Sequence, residues 1–193
     1  VLLNGAGNGA GTVTNAGNVV SANAQAVLLE SLDSAVLFNS GVVTSLQDGV
    51  GPGMGVSLVA NGRATVNNTG LIESSNVSTI AFTSVEIVNT SAVAVSGTSA
   101  GAVLNMTNSG TILGQFSLFS DAQFNRVVNT GLMDGSLLFN GATFSTFLHN
   151  SGTINGDIVA SAAGVGPSAG TVRMTNSGDI VGAILLNDGF DVY

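Results

Sequence analysis

Few residues of this chain could perform chemistry, and their types limit what that chemistry could be. His149 is the only histidine and cysteine is absent, so no His/Cys metal cluster and no cysteine–histidine dyad can form. A serine nucleophile would depend on His149 alone, with no GxSxG elbow to present it. His149 therefore reads as a solvated surface side chain. Asp134 and Asp157 fall in consecutive copies of a repeat, and two outward carboxylates about 8 Å apart would suit a glycosidic bond held between them. A lyase also needs a cation against its substrate's acid. The nearest, Arg126 and Arg173, stand in copies separated by an intervening one, and tryptophan, the best platform for a sugar ring, is absent. Solvating surface acids are the plainer account of Asp134 and Asp157.

The composition narrows the classes further. Arg63, Arg126 and Arg173 are the only basic residues besides His149, and lysine is absent. Schiff-base chemistry and Walker-type phosphate loops are excluded. A formal net charge of −8 disfavours nucleic acid and anionic membranes, which select basic patches. Charged residues make up 7% and apolar residues 45%, and abundant β-branched residues beside 27 glycines favour strands and turns over helices. No apolar run approaches the roughly 20 residues of a membrane-spanning helix. An acidic chain without lysine or cysteine reads as extracellular, at or beyond a bacterial cell surface.

A repeat must position these residues. Asn15, Asn39, Asn68, Asn89, Asn108, Asn129, Asn150 and Asn176 are each followed by a small residue and then, in every copy except Ser91, by glycine. Gly110, Gly131, Gly152 and Gly178 complete the clearest copies. Two positions before each anchor lies an apolar residue, from Val13 to Met174, and four positions after it lies another, from Val19 to Ile180. The position between anchor and Ile112-type residue is mixed, which is the period of two of a strand with one face inward. In the last four copies further inward columns are expected at Phe116, Leu137, Ile158 and Ile184, and at Leu118, Phe139, Ala160 and Leu186.

A unit of roughly 20 residues with short strands buries its apolar face only against its neighbours. The expected fold is all-β: a single right-handed parallel β-helix, or β-solenoid, of about eight rungs over residues 1–193. Like side chains would then stack about 4.8 Å apart. The Asn-small-Gly tripeptide becomes a corner, with glycine expected at positive φ and asparagine amides bonded up a ladder. "DGVGPGMG" (Asp48 to Gly55) and "GVGPSAG" (Gly164 to Gly170) are expected as projecting loops. No capping helix is evident, so either caps are expected in flanking sequence or the ends are expected to stack on other molecules.

With those columns in place, "NSGTIxG" followed by an apolar strand resembles the passenger regions of bacterial autotransporters and related secreted hemagglutinin-like adhesins. The likeness is best from Asn105 to Leu186 and loosest from Val20 to Leu58. It implies a right-handed β-helix exposed outside the cell, and says little of activity, because such passengers include adhesins, proteases, esterases and toxins. "NDGFDVY" near the C-terminus also resembles calcium-binding nonapeptide repeats, which would make Asp188 and Asp191 weak oxygen ligands; no cofactor is otherwise expected. The sequence as a whole points to a non-catalytic structural or adhesive solenoid that meets a host or neighbouring-cell ligand. A filament subunit stacking through its ends and a polysaccharide-cleaving β-helix enzyme are the alternatives.

Overall fold

The computed structural model describes residues 2–5, 9–22, 25–31, 33–46, 54–75, 93–98, 103–140, 145–161, 171–186 and 191–192. Among them there are strands, bends and no helix, as the scarcity of strong helix formers dictates. Every strand pairing is parallel, and the chain is a parallel β-solenoid.

Each described rung is built on three walls. The first wall stacks Ala10–Asn15, Ser34–Asn39, Arg63–Asn68, Val103–Asn108, Phe124–Asn129, Ser145–Asn150 and Thr171–Asn176 as a seven-stranded sheet. The corner tripeptide then turns the chain into the second wall, which includes Val42–Leu46, Leu71–Ser75 and Thr153–Asn155. The third wall includes Val27–Ser31, Met54–Ala60 and Ile158–Ser161. In Thr111–Ser120 and Leu132–Asn140 one continuous strand serves both, so the second and third walls join as a thirteen-stranded sheet. At about 4.8 Å per step, the seven described first-wall strands rise roughly 30 Å.

The rung count differs from the expected eight. Asn68 pairs directly with Asn108, so the place expected for Asn89 between them is closed; Asn89 itself lies outside the described residues. The first wall proceeds from Arg63–Asn68 to Val103–Asn108, and of the described residues between them Leu71–Ser75 lies in the second wall and Val93–Thr98 in the third.

The core is a bundle of spines. Leu37, Val66, Met106, Val127 and Leu148 descend inside the first wall, and Val43, Ile72, Ile112, Met133 and Ile154 inside the second, all 1% exposed or less. Alternation along each strand is sharp: in Phe124–Asn129 and Ser145–Asn150 every second residue is buried, the signature of one face on the core and one outward. The third-wall columns differ from expectation in one rung. Leu118, not Phe116, aligns with Leu137 and Ile158, while Phe116 lies opposite Ser136 and packs with Leu138 in a small separate cluster. The cause is a register shift between Leu113 and Leu118, a bulge that inserts residues on one strand only. Ser120, Phe139 and Ala160 consequently share a column, with the fully buried Phe139 ring between two small side chains.

Truncating a spine tests this packing. Ile154→Ala removes a fully buried side chain whose register neighbours are Met133 and Ile180, and a denaturant titration is expected to show a loss of about 2–5 kcal/mol. Val181→Ala, one residue on but 65% exposed, is expected to cost less than about 0.5 kcal/mol.

Candidate functional site

The most elaborated polar feature is the corner. Each described anchor asparagine ends a first-wall strand on the inward side, and Asn108, Asn129 and Asn150 are fully buried. Their side-chain amides form one chain of hydrogen bonds: Asn15 donates to Asn39, then Asn39 to Asn68, Asn68 to Asn108, Asn108 to Asn129, Asn129 to Asn150 and Asn150 to Asn176, each at 2.8 Å from Nδ2 to Oδ1. The same nitrogen lies 3.0–3.3 Å from the carbonyl two residues ahead. It also reaches a carbonyl of the next rung, as Asn108 does to Leu132 at 3.1 Å. The backbone repeats this economy, with the Asn108 carbonyl accepting from the amides of both Thr130 and Gly131 at 2.8 and 3.3 Å. Buried amides partnered on both sides hold a rung register.

The corner glycines are required for a different reason than positive φ. Among the described glycines only Gly135 and Gly156 have positive φ, and neither is the third residue of the tripeptide. Instead the corners stack so closely that a Cβ on Gly110, Gly131 or Gly152 would lie 2.1 Å from the carbonyl oxygen of the glycine one rung before. The last glycine of "NSGTIxG" forms a second stack. A Cβ on Gly135, whose φ is +143°, would lie 1.8 Å from the Gly114 oxygen, and one on Gly182 would lie 2.3 Å from that of Gly156. Both glycines of the repeat are thus places where backbone touches backbone.

A smaller polar network went unread in the sequence. Buried Ser120 donates to Asn125 Oδ1 at 2.6 Å, and Asn125 Nδ2 lies 3.2 Å from both the Ala122 carbonyl and Thr146 Oγ1. It ties the turn at 121–123 to the adjoining rung. The signal was two successive polar residues, Asn125 and Thr146, in a column otherwise filled by Gly11, Ala35, Ala64, Leu104 and Val172.

The candidate carboxylates do not form a register pair. Asp134 is exposed and aligned with Asn155. Asp157 lies at the turn into the third wall, where its Oδ1 accepts from the Ala183 amide at 2.8 Å and its own amide donates to Ser136 Oγ at 3.2 Å. Asp157 therefore fastens one rung to the next. Asp157→Asn keeps an acceptor oxygen and is expected to leave the melting temperature within about 2 °C, whereas Asp157→Ala deletes it and is expected to lose about 1 kcal/mol. Asp191 does comparable work, accepting from the Val172 amide at 2.9 Å, beside a bridge between Arg173 and Val192. Asp188 lies outside the described residues, as do residues 48–53 and 164–170 of the expected loops; Met54 and Gly55, expected in the first loop, instead open the strand Met54–Ala60. Among the described residues no three His, Asp or Glu side chains converge as a metal site, and no helix is long and apolar enough to cross a membrane.

His149 points outward from the first wall, its Nδ1 2.7 Å from Thr175 Oγ1. Arg126 and Arg173 are exposed on the same wall. Phe147 stands between them at the same register position, so the intervening rung is occupied by an aromatic ring, 40% exposed.

No protein-family model, curated protein or solved structure matches this chain.

Proposed function

We propose that this chain is a non-catalytic structural and adhesive β-solenoid that works outside the cell, as a stalk or passenger segment at a bacterial surface. The observation that carries the reading is the corner ladder: the inward polar side chains are used to join rung to rung, leaving the outward columns to meet partners. Rigidity and presentation are then the mechanism. The extracellular placement is supported by the acidic, lysine-free and cysteine-free composition and by the resemblance of "NSGTIxG" to autotransporter passengers.

Beads coated with the folded chain are expected to attach to a subset of a panel of bacterial and animal cells, and soluble chain is expected to compete. Attachment no greater than that of beads coated with heat-unfolded chain would contradict the reading. Acidic polysaccharides incubated with the chain are expected to release no reducing ends or unsaturated products. Release abolished by Asp134→Asn would replace display with cleavage.

A second reading is favoured by one feature. Met174, Ile180 and Ile184 of the last described rung line an open depression of about 510 Å³ together with Asn176 and Gly178. Ile180 and Ile184 are only half-buried there, an edge that fits the next rung of a stack, so end-to-end assembly into filaments is the alternative, read directly by negative-stain microscopy.

A further inference from the structure

The outward side of the first wall differs in charge from the rest of the molecule. All three arginines and the only histidine of the chain lie in its strands: Arg63, Arg126, His149 and Arg173. None of its seven strands contains Asp or Glu. The described acids stand elsewhere, with Glu73, Asp134 and Asp179 in the second wall, Glu30 in the third, Asp33, Asp121 and Asp157 at turns, and Asp191 beside the end of the last first-wall strand. In a chain of net charge −8, this is the one wall that can attract an anion.

We infer that the first-wall surface centred on Arg126, Phe147 and Arg173 binds a carboxylated polysaccharide. The inference rests on the display reading and names the class of ligand. The three residues occupy one outward column in consecutive rungs, so two guanidinium-bearing positions about 10 Å apart flank an exposed ring. Guanidinium pairs with carboxylate through two parallel hydrogen bonds, and a phenyl ring offers an apolar seat for the C–H face of a pyranose. Phe124, 50% exposed, extends the apolar strip in the next column, and Asn105, preceding Arg126 in the same column, supplies an amide for sugar hydroxyls.

The same features disfavour other anions. Nucleic acid and heavily sulfated chains draw their affinity from many closely spaced cations, whereas this column holds two arginines, two rungs apart. An acidic peptide adding as a strand needs unpaired backbone at a sheet edge, but the inner strands of this wall are paired on both sides. A sparse, hydroxyl-rich polyanion lying across side chains fits the charge spacing, the ring and the flat surface together.

The test uses the intact chain and biolayer interferometry with oligogalacturonate and hyaluronate fragments, beside heparin, polyglutamate and neutral dextran. Binding is expected for one or both carboxylated glycans and to exceed that of the other three probes. Arg126→Ala/Arg173→Ala and Phe147→Ala are expected to weaken it by about tenfold or more. Arg63→Ala, which changes net charge on the same wall but in a different column, two rungs before Arg126 and four before Arg173, is expected to change it less than about twofold. All the substituted side chains are exposed or outward, and unchanged circular dichroism and melting verify the fold. Equal losses in Arg63→Ala, stronger binding of polyglutamate, heparin or dextran, or binding by neither carboxylated glycan would overturn the inference. Cell attachment that survives in Arg126→Ala/Arg173→Ala while no glycan binds would sink the ligand class and leave the adhesive reading standing; loss of all attachment by the native chain would sink both.

Discussion

Gly131→Ala is expected to be among the most damaging additions of a single methyl group to this chain. The new Cβ would lie 2.1 Å from the Gly110 oxygen, 2.7 Å from the Ser109 carbonyl carbon and 2.9 Å from the Ser109 oxygen. These are backbone atoms, which cannot rotate away as a side chain can. Relief requires the rungs to separate at the corner, and there the Asn108 carbonyl holds the Thr130 amide at 2.8 Å and the Asn108–Asn129 amide bond is also 2.8 Å. Overpacking ordinarily costs about 1–3 kcal/mol, occasionally more. With backbone as the obstacle and a buried ladder coupled to it, a loss of about 3 kcal/mol or above is expected in urea denaturation, or failure to fold. Gly17→Ala provides the internal comparison. Gly17 holds the same place in the repeat, but a Cβ there meets nothing within 4 Å, so its substitution is expected to change stability by less than about 1 kcal/mol. Equal tolerance of both substitutions would show that the corners are not stacked this closely.

Asn129→Asp is expected to be comparably severe and, unlike the glycine substitution, dependent on pH. Asn129 is fully buried, accepts from Asn108 and donates to Asn150, both at 2.8 Å. Aspartate preserves the acceptor and replaces the donor with oxygen, so two acceptors would face one another across the Asn150 contact. An ionised carboxylate there would also be buried with no charge to balance it, at a cost of about 3 kcal/mol or more. Burial raises such a group's folded-state pKa above the unfolded value near 4. The folded state then retains the proton to higher pH than the unfolded state, so stability falls as pH rises between the two values. Denaturation at about pH 3.5 and pH 7 is expected to show Asn129→Asp closer to wild type at the acid end, where the protonated carboxyl can donate again. Asn129→Ala removes the donor without adding charge, and its smaller deficit of about 1–3 kcal/mol is expected to stay constant relative to wild type. An aspartate variant as stable as wild type at pH 7 would contradict the ladder.

The inward half of the fold was legible because stacking makes it redundant. Once equivalent residues pile into columns, most inward columns are apolar, Asn or Gly along their length, and alignment on the asparagines exposes all three kinds; the columns of Asn125 and Ser120 mix polar and apolar residues. Legibility failed where one rung departs from its neighbours. Asn89 has the right type and roughly the right spacing, but its tripeptide carries Ser91 in place of the glycine whose Cβ the described corners exclude; the missing glycine was the available warning. Phe116 misled for a related reason, since counting from Asn108 assumes equal strand lengths and the bulge before Leu118 violates that assumption. The glycine requirement itself was read correctly for the wrong cause: the distance to the previous rung is a tertiary quantity, invisible in a local turn rule.

The outward columns were legible too, although only with attention to polar residues. Arg126, Phe147 and Arg173 each stand three positions before an anchor asparagine, and His149 stands one before. Aligned by column they are neighbours in space, whereas along the chain they are scattered over 48 residues. Asp134 and Asp157 looked like neighbours along the same reasoning, but the turn between the second and third walls gives Asp157 a backbone amide to hold and Asp134 a solvent position.

The rung register is the claim on which all of this depends, and paired cysteines test it most directly in a chain that has none. Asn67 and Thr107 are register partners on the outward side of the first wall, at a separation of about 4.8 Å that suits a disulfide. Asn67→Cys/Thr107→Cys is expected to cross-link readily under mild oxidation and to melt higher when oxidised. A Val88→Cys/Thr107→Cys pair, which a rung through Asn89 would bring together, is expected to remain reduced. Cross-linking of the second pair and not the first would restore an eighth rung and contradict the register.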